Sequence, residues 1–300
     1  MRSWISLAAL LLVVGALGAW VYYKPKTSGD TSHALSTLIP SDVKRARLER
    51  VSAPRGALPA DAPPPAPTTS AIALERIDDQ WRMTAPVAAR VDKFQIDRLL
   101  SVLEARSSAR YPATDLARFG LEQPVATLVA EDQTFTFGAI NKTTREQYVM
   151  TRNEVYLVAL AYGAALPRHA DALLARQLLA ANEIPVRFDL PDFTVALEDG
   201  TWAVAPVAPN LSADERGAWV EAWRQASAIS VSRPGGEAPT QHIKVELKDG
   251  RTLHLGILGR EPELVLLRAD EGVQYTFVPD VAKRLMSPPG SAPSSDPIKK

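Results

Sequence analysis

The chain has 300 residues, a formal net charge of zero and no cysteine. The charge balance gives no electrostatic case for nucleic acid, and the missing thiols exclude disulfides, thiolate nucleophiles, cysteine-ligated zinc and a lipoprotein anchor. An apolar fraction of 46% leaves material for one large core or two small ones.

Residues 5–23 carry no charge and are long enough for a bilayer core of ~30 Å at ~1.5 Å per residue. Trp4 stands at one end and Trp20, Tyr22 and Tyr23 at the other, where amphipathic rings favour the interface. Residues 1–23 are therefore expected to form an N-terminal transmembrane anchor, with the lipid bilayer met through residues 4–23. A cleaved signal peptide with Ala16-Leu17-Gly18 at the cut is the rival reading. The apolar run continuing through Trp20 favours the anchor. Arg2 opposes Lys24 and Lys26, so the charge rule is nearly balanced. The expected place is the inner (cytoplasmic) membrane, single-pass, with the globular part periplasmic.

Residues 24–37 lack periodicity and read as a tether, after which 38–166 form a first module. Residues 43–51 open it as a strand, and 53–69, with Pro63-Pro64-Pro65, form a proline-rich loop, because proline lacks the amide donor a strand needs. Residues 72–77 and 80–84 pair as a hairpin about Asp78-Asp79. Asp92 with Gln95 then announces a helix carrying Ile96, Leu99, Leu100 and Leu103 on one face. Residues 115–121 make one helical turn closed by Gly120. Residues 125–160 alternate apolar with polar side chains between short polar turns, the pattern of an antiparallel meander.

The alanine- and leucine-rich stretch 170–182, with Leu173, Leu174, Gln177 and Leu178, predicts an amphipathic connecting helix within 167–184. Residues 185–287 repeat the plan as a second module. Strands at 193–197 and 201–205 turn at Asp199-Gly200; Ser212 with Glu215 opens a helix bearing Trp219, Val220 and Trp223. A meander over 243–278 follows, in which Gly138 falls on Gly256 and Val155 on Val273. Trp81 and Pro86 likewise find Trp202 and Pro206. Residues 288–300 are a tail too poor in apolar side chains to fold. The fold class expected is α+β: an N-terminal transmembrane helix followed by two tandem repeated modules, each an antiparallel sheet with one main helix packed on it.

Trp81 followed by Pro86, Val91-Asp92, Leu99-Leu100, Asp115-Leu116, Phe119-Gly120-Leu121 and Pro124 give the first module a cadence that resembles a bacterial family of membrane-anchored proteins, domain-of-unknown-function family 4340. The resemblance implies a gene neighbourhood with ABC-transporter components of the gliding-motility type. Its motif residues are structural types, so no active-site residue carries over, and the proline-rich loop at 53–69 departs from the family pattern.

No arrangement of reactive side chains completes a catalytic motif. His33, His169, His242 and His254 show no metal-ligand spacing. Asp78-Asp79, Glu131-Asp132 and Asp199 fall at turns, which Asp favours. Trp81 and Trp202 occupy equivalent strand positions, the signature of core residues; an exposed pair would suit glycan stacking. Asn141-Lys142-Thr143 and Asn210-Leu211-Ser212 match a glycosylation acceptor only in a eukaryotic source. Catalytic, cofactor-binding and metal-ligating residues are thus expected to be none. The function expected is a non-enzymatic envelope protein, an accessory or scaffold subunit docking onto an ABC-transporter-like membrane complex. The alternative is an extracytoplasmic ligand- or glycan-binding pair of modules.

Overall fold

The computed structural model describes residues 32–52, 68–206 and 211–290. Its first half contains β1 (His33–Ala34), β2 (Arg45–Ser52), β3 (Thr68–Ile77), β4 (Gln80–Ala85), β5 (Ala89–Arg90), helix α1 (Lys93–Leu100), β6 (Arg106–Ser107) and β7 (Arg110–Pro112). The meander β8 (Ala126–Ala130), β9 (Gln133–Ile140), β10 (Glu146–Thr151) and β11 (Glu154–Ala159) follows, then α2 (Leu160–Ala164). The second half contains β12 (Pro185–Asp189), β13 (Thr194–Glu198), β14 (Thr201–Ala205), α3 (Ala213–Arg224) and β15 (Ser230–Ser232). It ends with β16 (Gln241–Leu247), β17 (Thr252–Gly259), β18 (Leu264–Arg268), β19 (Val273–Phe277) and α4 (Pro279–Met286).

β1 and β6 pair by themselves. The other strands form a nine-stranded sheet, β5-β4-β3-β2-β8-β9-β10-β11-β7, and an eight-stranded sheet, β14-β13-β12-β16-β17-β18-β19-β15. Apart from β5, the two orders correspond strand for strand, and the ladders are antiparallel. Alternation decides which face is covered: Ala126, Leu128 and Ala130 are buried on β8, as are Ile243, Val245 and Leu247 on β16. The hairpins turn where left-handed backbone is available, at Asp78-Asp79 (φ 48° and 61°) and at Asp199-Gly200 (φ 46° and 81°).

Two strand glycines hold equivalent posts. A Cβ on Gly138 would stand 2.3 Å from the carbonyl oxygen of Phe119, and one on Gly256 would stand 2.5 Å from Cγ of Pro239. In each half the segment leading into the meander crosses directly over that glycine, so any side chain there would lift the crossing segment away.

The α+β expectation is corrected. Among the described residues the chain is mostly antiparallel sheet, in three sheets, with four short helices, and no helix is long and apolar enough to cross a membrane. Residues 5–23, on which the transmembrane anchor was placed, lie outside the described residues, as do 53–67 of the proline-rich loop and 291–300 of the tail. Nor do two separate cores form. One large buried cluster runs from Leu35 through Leu103, Leu178 and Trp223 to Leu285, because the chain between the halves is itself packed into it, and a small second one joins Phe119, Leu121 and Val155.

That chain is the clearest local departure. In place of a helix, Ala170–Leu173 forms one 3-10 turn, 174–177 runs extended, and 178–182 bends and turns. Leu173, Leu174, Leu178 and Leu179 are all buried, which covers more than one face of any helix. The extended backbone is engaged by both halves instead. Asp92 N–H donates to Leu173 O and Ala175 N–H to Arg90 O, while Leu178 N–H donates to Ala226 O and Ala228 N–H to Arg176 O. The tether is corrected too: from Ser32 on it is docked, with β1 paired to β6, Leu35 fully buried and Ser36 Oγ donating to Gln133 Oε1 at 2.6 Å.

The helices follow their caps. Ser212 and Glu215 make the reciprocal capping box of α3, whereas Asp92 accepts from Phe94 N–H at 2.8 Å without the return bond from Gln95. α1 stops at Leu100, and Leu103 sits on a 3-10 turn, Ser101–Glu104, where Val102 is buried as well. Helix α4 was not anticipated. Its last turn is closed by two indoles: Trp223 Nε1 donates to Leu285 O at 3.2 Å, and Trp219 Nε1 donates to Ser287 O at 2.8 Å. Phe188 packs against both indoles.

Candidate functional site

The seam between the halves is where the fold leaves concave surface. The β18–β19 turn, residues 269–272, lies against the end of β4 and β5: a Cβ on Gly272 (φ 61°) would be 3.4 Å from Val87 Cγ2. Glu271 on that turn meets Arg90 of β5 in an ion pair between two nearly inaccessible side chains. Arg90 Nη2 also donates to the carbonyls of Gln177 and Leu178, both at 3.0 Å, and to the Tyr275 hydroxyl at 3.0 Å. The Tyr275 hydroxyl in turn donates to Glu271 Oε2 at 2.6 Å. One guanidinium therefore ties together the first half, the connecting chain and the second half.

A second guanidinium completes the set. Arg268 ends β18 on its inward face, 1% exposed, and is paired with Glu183, with Nη1 donating to Glu183 Oε2 at 2.9 Å and to Leu178 O at 2.6 Å. Its Nε and Nη2 also reach Asp270. Every buried charge in the group thus has an opposite charge and further hydrogen bonds, the condition for tolerating it. Burial alone would push the Glu183 carboxyl up; the hydrogen bonds and charge of Arg268 outweigh it and hold the group below the usual carboxylate range. Burial pushes the Tyr275 phenol up, and Glu271 adds to the shift. For Arg90 and Arg268 burial is outweighed by their carboxylate partners, so both stay charged.

Two neighbouring cavities meet this group at Arg90 and share Gln80, Arg90 and Ala180 in their linings. The larger, a groove of about 800 Å³, runs between α1, the β3–β4 hairpin and the connecting chain, with Trp81, Arg76 and Arg176 in its walls. The smaller, about 150 Å³, is lined by Arg82, Asn182, Arg251 and the ion-pair group. Arg76 is held at the groove by Ser41 O and Asp79, and its buried Nε has no acceptor among the described residues.

Most side chains singled out from the sequence are not brought together. His169, His242 and His254 are exposed and His33 half-buried, and among the described residues no group of three or more His, Asp or Glu could hold a metal ion. Glu131 accepts from Lys44 and Arg45 N–H, which lowers its carboxyl and closes the start of β2. Asp199 serves its turn. Asn141 Oδ1 accepts from Thr143 N–H and its amide donates to the Tyr148 hydroxyl, while Asn210 lies outside the described residues. Trp81 and Trp202 are both half-buried; Trp81 lines the larger cavity, and Trp202 lies beside Phe188. The sequence reading missed Arg90, Glu183, Arg268, Glu271 and Tyr275. The available signal was a mismatch between the repeats. The β10–β11 turn has two residues, Arg152-Asn153, where the β18–β19 turn has four, Ala269-Asp270-Glu271-Gly272.

Fold and site together define a predominantly antiparallel-β chain whose halves share one strand order and one core, with a preformed groove along their seam. Residues 81–228 match the family model described as Domain of unknown function (DUF4340), and this part of the chain belongs to that family. No curated protein and no solved structure matches the chain.

Proposed function

We propose that this chain is a non-enzymatic docking subunit of the cell envelope, working at the inner membrane with its folded part outside the cytoplasm. On this reading it seats a segment of a membrane-protein partner, of the ABC-transporter-like class that the family resemblance implies. The observation that carries the reading is the groove of about 800 Å³, whose walls come from the first half and the connecting chain, with Ser227 of the second half, and are tied together by Arg90. A concave surface held by buried ion pairs is preorganised, so a partner loses less ordering entropy on binding. Trp81 in the groove wall favours a second reading, an envelope glycan stacked on the indole.

Affinity purification of the full chain in mild detergent separates the two. A stoichiometric membrane protein retained through washing supports docking; a chain that elutes alone with bound polysaccharide overturns docking in favour of the glycan. An export-dependent reporter fused after Lys300 should be active, and activity only in a cytoplasmic reporter would overturn the proposed location.

A further inference from the structure

The charges around the two cavities are unequally committed. Each carboxylate that lines them already has a partner. Asp79 meets Arg76, Asp97 meets Lys93, and Asp92 accepts Phe94 N–H at 2.8 Å. Glu183 and Asp270 meet Arg268, and Glu271 meets Arg90. The cations are in surplus. Arg176 in the larger cavity and Arg82 in the smaller are exposed, and neither has a carboxylate within ion-pair distance among the described residues. Glu75 is the cross-strand neighbour of Arg82 on β3 but closes no ion pair with it, and its neighbour on the other side is Arg90, a like charge. The buried Nε–H of Arg76 adds a donor without an acceptor. What this surface lacks is negative charge with acceptor oxygens.

We propose that the groove takes an extended acidic peptide segment, its carboxylates meeting Arg82 and Arg176 and its chain lying past Trp81. The inference rests on the docking reading and specifies the chemistry of the docked segment. Shape favours a peptide: the larger cavity is bounded by the connecting chain, which runs extended past Ala175 to Gln177 and turns at Ala180 and Ala181, and it shares Gln80 with the smaller one. An extended chain matches such a wall in form and offers charges at separate points along its length. Guanidinium is the cation suited to bidentate capture of those carboxylates.

The test is selection of a randomised 12-residue display library on the full chain in mild detergent, beside an array of uronic-acid oligosaccharides. Enriched peptides should carry Asp or Glu. One such peptide, made synthetically, should bind about tenfold or more weakly to Arg82→Glu/Arg176→Glu and near normally to Arg82→Lys/Arg176→Lys. Its affinity should also fall as salt is raised, since charges more than about 10 Å apart are screened at 0.1 M. Both arginines are exposed, and an unchanged melting temperature would show that the variants fold. Peptides enriched without acidic residues, binding indifferent to the charge reversal, or uronate oligosaccharides held where peptides are not would each overturn the proposal. The purification experiment fails separately. A membrane partner retained equally by wild type and the reversed variant leaves docking standing and removes the acidic segment. Charge-dependent peptide binding with no co-purifying partner does the opposite.

Discussion

Replacing Arg90 by methionine should loosen the seam more than any exposed charge change could. Arg90 loses its ion pair to Glu271, its bond to Tyr275 and its two bonds to the carbonyls of Gln177 and Leu178. Breaking a buried pair by removing one partner costs ~3–5 kcal/mol, mostly from the charge left behind. Glu271 is not wholly abandoned, because Tyr275 still donates to it and Arg268 Nη2 lies 3.9 Å away. The expected cost of Arg90→Met is therefore at the low end, ~3 kcal/mol. Glu271→Gln leaves Arg90 its carbonyls and should cost less, ~1.5–3 kcal/mol for one charged hydrogen bond. The double variant should fall short of the sum by ~1–3 kcal/mol, the coupling of groups in one network. As a control, Glu49→Gln breaks an Arg47 pair whose members are 58% and 41% exposed, and should cost under ~1 kcal/mol. Urea unfolding of the full chain in mild detergent, followed by tryptophan fluorescence and far-UV circular dichroism, measures all four, provided the two probes coincide. An Arg90→Met cost no larger than the control, or strict additivity with Glu271→Gln, would refute the account of the seam.

Gly138→Ala and Gly256→Ala should each destabilise by ~1–3 kcal/mol through overpacking, with Gly138 the worse because its obstacle is backbone; Gly217→Ala, in open space on α3, should gain ~0.5–1 kcal/mol by thermal melting. Trp223→Ala should cost ~3–5 kcal/mol in urea, since the indole is fully buried and caps α4, while Trp202→Ala should cost clearly less. The Glu183 carboxyl is depressed in the fold, so its stabilisation is present above the unfolded value of ~4.3 and lost as pH falls through the folded one. Acid titration of the melting temperature should therefore show a steeper fall below about pH 4.3 in wild type than in Glu183→Gln; equal slopes would contradict the assignment.

Strands were legible in the sequence where alternation and a turn dipeptide agreed. β8 to β11 sit within 125–160, and β16 to β19 within 243–278 except for the first two residues of β16, because the period of two is imposed by burial on one face alone. Helices were legible only where a cap marked them. Ser212 and Glu215 announced α3, whereas Leu173, Leu174, Gln177 and Leu178 suggested a helix; the three leucines, with Leu179, instead fill an irregular chain buried on several sides. Their spacing fits either state, and only the backbone partners at Arg90, Asp92, Ala226 and Ala228 decide it. The seam was illegible for a related reason. Arg90 and Glu271 are distant in sequence and each is ordinary in its neighbourhood, so nothing local pairs them. Pro279 followed by Val281, Ala282 and Leu285 carries the signal of α4, inside the stretch read as the second module but given no element there.

The separation of Arg90 and Glu271, 181 positions apart, also has a meaning in time. At ~5–20 residues per second, a ribosome that has just made Arg90 needs about 10–35 s more to reach Glu271. Through that interval the nascent first half can pair its own strands, yet the guanidinium at its edge has no carboxylate from the turn that will close on it. The smaller cavity, lined by Arg268, Asp270 and Glu271, is therefore a late product of synthesis, assembled when the final hairpin emerges. A chain stopped short of Glu271 would carry the first sheet without the site.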